Sequence, residues 1–214
     1  MVLIYEDKVP ASYRSGFIQK IKEISGKLKI DPNWLMAIMY FESARTFSPS
    51  KGNNIGCYGL IQFCPDRGKN YKTVNGKRYP MSDIAKMDYS TQLDLVYEYY
   101  KAYTGKLKSY TDTYFVTFFP LAVGKPDDWV IQGAGLSAKS IYDDNPAFQN
   151  VKDGKIRVWE VKKKILEQLP SEWLKEGSFG LAVKAYKNYI SVAVLSILAG
   201  LTLFYYTYDR SGSK

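Results

Sequence analysis

The chain has 214 residues, 46% of them hydrophobic and 24% charged, which suits one sizeable globular domain with an appendage. Its formal net charge of +9 favours polyanions such as anionic lipid or the acidic polymers of a bacterial envelope, and nucleic acid is not expected because no Lys/Arg-rich block marks a binding arm. The absence of histidine excludes Ser-His-Asp and Cys-His nucleophilic sites and imidazole-ligated zinc, so chemistry must rest on carboxylates, lysine, tyrosine or a carboxylate-bound metal.

In chain order, the opening from Met1 to Lys8 has mixed charge and no long apolar run, and no secretory signal is expected there. Residues 12–28 read as a helix, with Phe17, Ile18, Ile21, Ile24 and Leu28 at helical spacing. A second helix is announced by Asp31 as N-cap and Pro32 at the first helical position. Its run from Trp34 to Phe41 is apolar nearly all round and belongs in a core. Residues 48–59 are loop-like. Cys57 and Cys64 have the spacing of neither a redox pair nor a metal clip, and two small buried hydrophobes are expected rather than a disulfide.

Asn75-Gly76, between Lys72-Thr73-Val74 and Lys77-Arg78-Tyr79, predicts a two-residue β-hairpin. Residues 88–103 and 112–123 predict two further helices. Residues 145–160 form a polar turn region that leads into a helix ending near Pro170. Gln149 to Glu160 has the frame of a calcium loop, with Asp153, Gly154, Ile156 and Glu160 at its fifth, sixth, eighth and twelfth positions. Gln149 and Val151 stand where oxygen ligands are needed, so a relic is expected, with no metal and no cofactor.

Residues 188–208 are uncharged. At about 1.5 Å per residue they would cover roughly 31 Å, near the thickness of a bilayer core, with aromatic residues at both ends. The division expected is a main domain over 1–170, a partly amphipathic juxtamembrane link over 171–187, a single transmembrane helix over 188–208 and a polar tail over 209–214. A lipid membrane is thus an expected partner.

Glu42 is the residue on which chemistry can rest. It follows Leu35, Ile38 and Met39 by seven, four and three residues, so the four share one helix face. Apolar neighbours desolvate a carboxyl and raise its pKa, which keeps an acid protonated for a glycosidic leaving group. A glutamate paired to Arg45 is the plainer alternative.

Around Glu42, Phe41-Glu42-Ser43, then Phe47-Ser48-Pro49, then Gly59-Leu60-Ile61-Gln62 resemble the motifs of phage-type lytic transglycosylases of the lysozyme-like superfamily. The block from Tyr114 to Asp128 is similar to a third motif of phage members. It carries Pro120-Leu121-Ala122-Val123-Gly124 where many soluble members have Ala-Tyr-Asn-Ala-Gly, so subsites are not carried across there. The resemblance covers about residues 28–161. It implies a mainly α, lysozyme-like domain with a minor β-hairpin. It also implies cleavage of the bond between N-acetylmuramic acid and N-acetylglucosamine in peptidoglycan, with Glu42 as acid and then base. Ser43 and Gln62 would line the site, and Tyr114, Phe118 and Phe119 are cleft candidates for which core packing is the alternative. Hydrolysis by a lysozyme would want a second carboxylate from Asp66, Asp83 or Asp88. A non-catalytic wall-binding protein is the other alternative. Phage-like motifs beside an expected anchor suggest an enzyme in a virion membrane, alongside other virion proteins.

Overall fold

The computed structural model describes residues 2–175 and residue 179. Helix α1 spans Arg14–Leu28 and buries Phe17, Ile18, Ile21, Ile24 and Leu28, the stripe that the spacing predicts. Helix α2 spans Pro32–Glu42. The Asp31 side chain accepts from the Asn33 N–H, and Leu35, Met36, Ile38 and Met39 lie in the core. Strands β1 (Tyr71–Val74) and β2 (Lys77–Pro80) pair antiparallel with Val74 opposite Lys77. Asn75 and Gly76 both have positive φ, as a two-residue type I′ turn requires.

A single short helical turn, α3 (Met81–Ile84), leads to α4 (Tyr89–Tyr100), capped by the Asp88 carboxylate on the Thr91 N–H. The chain from Lys101 to Tyr103 tightens into a 3₁₀ turn, so the helix expected to reach Tyr103 ends earlier. Helix α5 (Tyr110–Phe118) starts before its expected residue, because the Ser109 hydroxyl caps the Asp112 N–H. It also stops earlier. Pro120 has no N–H and disfavours helical backbone before it, and Phe119 is accordingly extended. Helix α6 (Ala138–Asp144) follows, then α7 (Val158–Leu166) and α8 (Ser171–Lys175). Helix α2 packs between α1 and α5, and α1 also packs on α4.

The expected fold class needs correction. About half of the described residues are helical, with one two-stranded sheet. The longest of these helices, α1, has 15 residues, and among the described residues no helix is long and apolar enough to cross a membrane. The segment 188–208 lies outside the described residues.

The cysteines also depart from expectation. Cys57 and Cys64 form a disulfide, with Cα atoms 4.1 Å apart. The bridge Tyr58↔Phe63 folds the intervening chain back on itself, which brings the two thiols together. Removing the cross-link by Cys57→Ala and Cys64→Ala is expected to lower stability by roughly 2.5 kcal/mol through loop entropy. Urea unfolding of the double variant, and of native protein with and without dithiothreitol, measures that loss.

The calcium-like segment is tied together by the Glu160 carboxylate. Glu160 is fully buried, and its carboxylate accepts from the N–H groups of Asn150 (3.1 Å), Val151 (2.9 Å) and Arg157 (2.8 Å). The Arg157 guanidinium pairs with Asp153 and lies 3.7 Å from Glu160. Backbone donors and one guanidinium thus occupy the oxygens that a calcium loop gives to its ion. Glu160→Gln turns an amide N–H toward a backbone donor. At about 1–3 kcal/mol for each unsatisfied buried group, a loss of roughly 2–4 kcal/mol is expected on urea unfolding.

Candidate active site

Helix α2 ends at Glu42 because the next residues leave helical space. Ala44, Arg45 and Phe47 all have positive φ, an unusual concentration for residues with side chains. The turn is held by Ser43, fully buried, whose Oγ accepts from the Phe47 N–H at 2.8 Å. Its carbonyl accepts from the Thr46 hydroxyl. Phe47 is then driven into the core against Phe17 and Tyr40. Ser43 is therefore a fastener behind Glu42 and does not line the cleft.

The cleft has a volume of about 410 Å³. Glu42 and Phe41 form one wall with Tyr114, Thr117 and Phe118 of α5, and Phe119 follows them. The loop residues Asn53, Gln62 and Cys64 and, further along the chain, Leu136, Ile141, Asp144, Asn145, Ala147 and Phe148 complete the lining. Of the residues expected at a site, Glu42, Gln62, Tyr114, Phe118 and Phe119 are thus brought together. The aromatics also pack: Phe118 meets Phe148 edge-on at 4.8 Å and stacks on Tyr114 at 6.1 Å. Core packing and cleft lining are compatible in these side chains.

Desolvation raises the Glu42 pKa to about 7, and a hydrogen bond from the Tyr114 hydroxyl pulls it part of the way back. The same burial, with the Glu42 charge beside it, pushes the Tyr114 phenol well above its ordinary range, so it stays a donor. Glu42 does not pair with Arg45, and no cation among the described residues stabilises its ionised form. Near neutral pH it is an acid poised between its two states.

Gln62 reaches the cleft by an unusual backbone, with φ +51°. Its side-chain amide donates to the carbonyls of Lys51 (2.9 Å) and Gly59 (3.1 Å), which fixes the side chain and leaves its Oε1 for an outside donor. The loop is bolted from beneath by Gln92, which the sequence reading passed over. Fully buried on α4, it accepts from the Leu60 N–H at 2.6 Å and donates to the carbonyls of Pro49 (2.8 Å) and Ile84 (3.2 Å). Gly59 lies against this amide with φ +91°; a Cβ there would collide with Gln92. No sequence signal marks Gln92, since a single polar letter on an amphipathic helix reads as surface.

The proposed second carboxylates are committed elsewhere. Asp66 accepts from the Thr73 N–H and pairs with Lys72 at 3.3 Å. Asp88 caps α4, and Asp83 is exposed on α3. Asp144, at the end of α6, is the carboxylate that shares the cleft with Glu42. Among the described residues no cluster of acids or cysteines is placed to hold a metal ion. Comparison with family models, with curated proteins and with solved structures finds no match.

Proposed function

We propose that this chain is a peptidoglycan lytic transglycosylase that acts through Glu42. One observation carries the reading: a carboxyl with its pKa raised to about 7 by burial, at a helix end, opening on a cleft lined by Gln62 and aromatic rings. Protonated Glu42 gives its proton to the oxygen linking N-acetylmuramic acid to N-acetylglucosamine, and the bond from that oxygen to the muramoyl C1 breaks. The resulting carboxylate, held by the Tyr114 hydroxyl, takes the proton of the muramoyl 6-hydroxyl. That oxygen closes on C1, giving a 1,6-anhydro end and restoring the acid. Water is not consumed, and one carboxyl serves both steps where most glycosidases divide the work between two. Phe118 and Phe119 offer apolar faces to the sugar rings.

The experiment is digestion of purified sacculi with mass analysis of the products. Anhydromuropeptides are expected. A second reading, hydrolysis, draws on Asp144, which lines the same cleft as Glu42; it gives a reducing muramic acid end, heavier by one water. Binding of sacculi without any product would leave a wall-binding protein.

A further inference from the structure

A second cavity of about 470 Å³ is lined by Tyr5, Tyr40, Arg45, Tyr110, Leu169 and Pro170 together with Phe41. Phe41 lies in the wall of both cavities, so the two adjoin one residue from Glu42. The tyrosines are fixed in place. Tyr5 stacks on Tyr40 with ring centroids 4.0 Å apart, and its hydroxyl donates to the Gln168 carbonyl at 2.9 Å.

Arg45 gives this cavity its charge. It is exposed, with φ +67°, directly after Ala44 at φ +52°. Its N–H closes the turn on the Tyr40 carbonyl at 2.7 Å. Glycine would adopt this backbone with less strain, yet the position holds a guanidinium. The ion pairs among the described residues do not include Arg45. Its field reaches the Tyr5 phenol, which places it at the cavity, and the Glu172 carboxylate acts on the same phenol from α8. A guanidinium at the mouth of an aromatic, largely apolar cavity suits a ligand that is aliphatic along its length and carries carboxylates.

We propose that this cavity binds the acidic peptide stem carried by the muramoyl residue under attack. Arg45 receives a stem carboxylate, while Tyr40, Tyr110 and Pro170 pack against its aliphatic side chains. The inference rests on the glycan-cleavage reading and adds to it a substrate preference: strands bearing peptides over bare glycan. The shared Phe41 wall puts the two cavities side by side, and an extended peptide covers about 3.3–3.6 Å per residue.

The test compares kcat/KM of the full chain on peptide-bearing strands with that on strands stripped by an amidase. The native protein is expected to favour peptide-bearing strands about tenfold, the value of one charge-assisted contact. In Arg45→Ala this ratio should fall to near one, and Arg45→Lys should recover part of it. Because Arg45 is exposed, both variants are expected to fold, and circular dichroism checks that they do. A native ratio of one, or a ratio that Arg45→Ala leaves unchanged, overturns the stem site alone. Cleavage of neither substrate by native protein overturns the glycan-cleavage reading and the stem site with it.

Discussion

Glu42→Gln is expected to lower anhydromuropeptide release by roughly 10²–10⁴-fold, the range that a positioned general acid contributes. The amide has the same shape and still accepts from Tyr114, so substrate binding should survive while proton transfer stops. A fall in kcat with little change in KM is the expected split. If the variant cuts sacculi at the native rate, the assignment of Glu42 is wrong.

The same substitution makes a prediction about stability, with its sign set by the raised pKa. Unfolded, the glutamate titrates near its ordinary value of 4.5; folded, near about 7. Between those values the folded state holds the proton more tightly. Stability associated with this group is therefore fully present below about pH 4.5 and is lost as pH rises through about 7. Glutamine cannot ionise and escapes the loss. Glu42→Gln should match native protein in melting temperature near pH 4 and exceed it near pH 8. Native activity should decline over the upper part of the same window, as the acid form is titrated away. A melting-temperature difference that does not change with pH would mean that the carboxyl is not desolvated.

How much of this was legible in the sequence depends on the range of the interactions. Asp31-Pro32 and Asn75-Gly76 fix local backbone, and the structure has a capped helix and a two-residue turn at those places. A desolvated Glu42 was readable from helical spacing, though the Tyr114 hydroxyl that bonds it comes from α5. Pairing of Cys57 with Cys64 was not, since it depends on a fold-back at Tyr58 and Phe63 that no composition signal announces. The family resemblance implies Ser43 as a cleft residue, but consecutive helix residues point about 100° apart, and its hydroxyl turns inward to hold the Phe47 N–H. Asp144 escaped notice for the opposite reason. It is more than a hundred residues from Glu42 in sequence, on a helix of only seven residues, and the fold alone brings it to the cleft.

Gln92→Leu is expected to be the most damaging substitution far from the chemistry. Leucine fills a similar volume but leaves the Leu60 N–H and the Pro49 carbonyl without a partner, while the Ile84 carbonyl keeps the Met87 N–H. At about 1–3 kcal/mol for each of these two buried groups, the loss is roughly 2–6 kcal/mol, a large share of the 5–15 kcal/mol typical of a domain. Glycan cleavage should fall too, because Leu60 and the Gly59 carbonyl that holds Gln62 belong to the bolted loop. Gln92→Glu separates hydrogen bonding from packing. At low pH a neutral carboxylic acid still accepts from Leu60 and donates to one of the two carbonyls. At high pH the buried carboxylate loses its donor and faces two carbonyl oxygens. Urea midpoints of Gln92→Glu should therefore fall further below native at pH 8 than at pH 5, after subtraction of the native protein's own pH dependence. The Gln92→Leu deficit should vary little with pH. Matching deficits for the two variants at both pH values would assign the role of Gln92 to its bulk, and the loop would then be held by the Cys57–Cys64 bridge and its own backbone bonds.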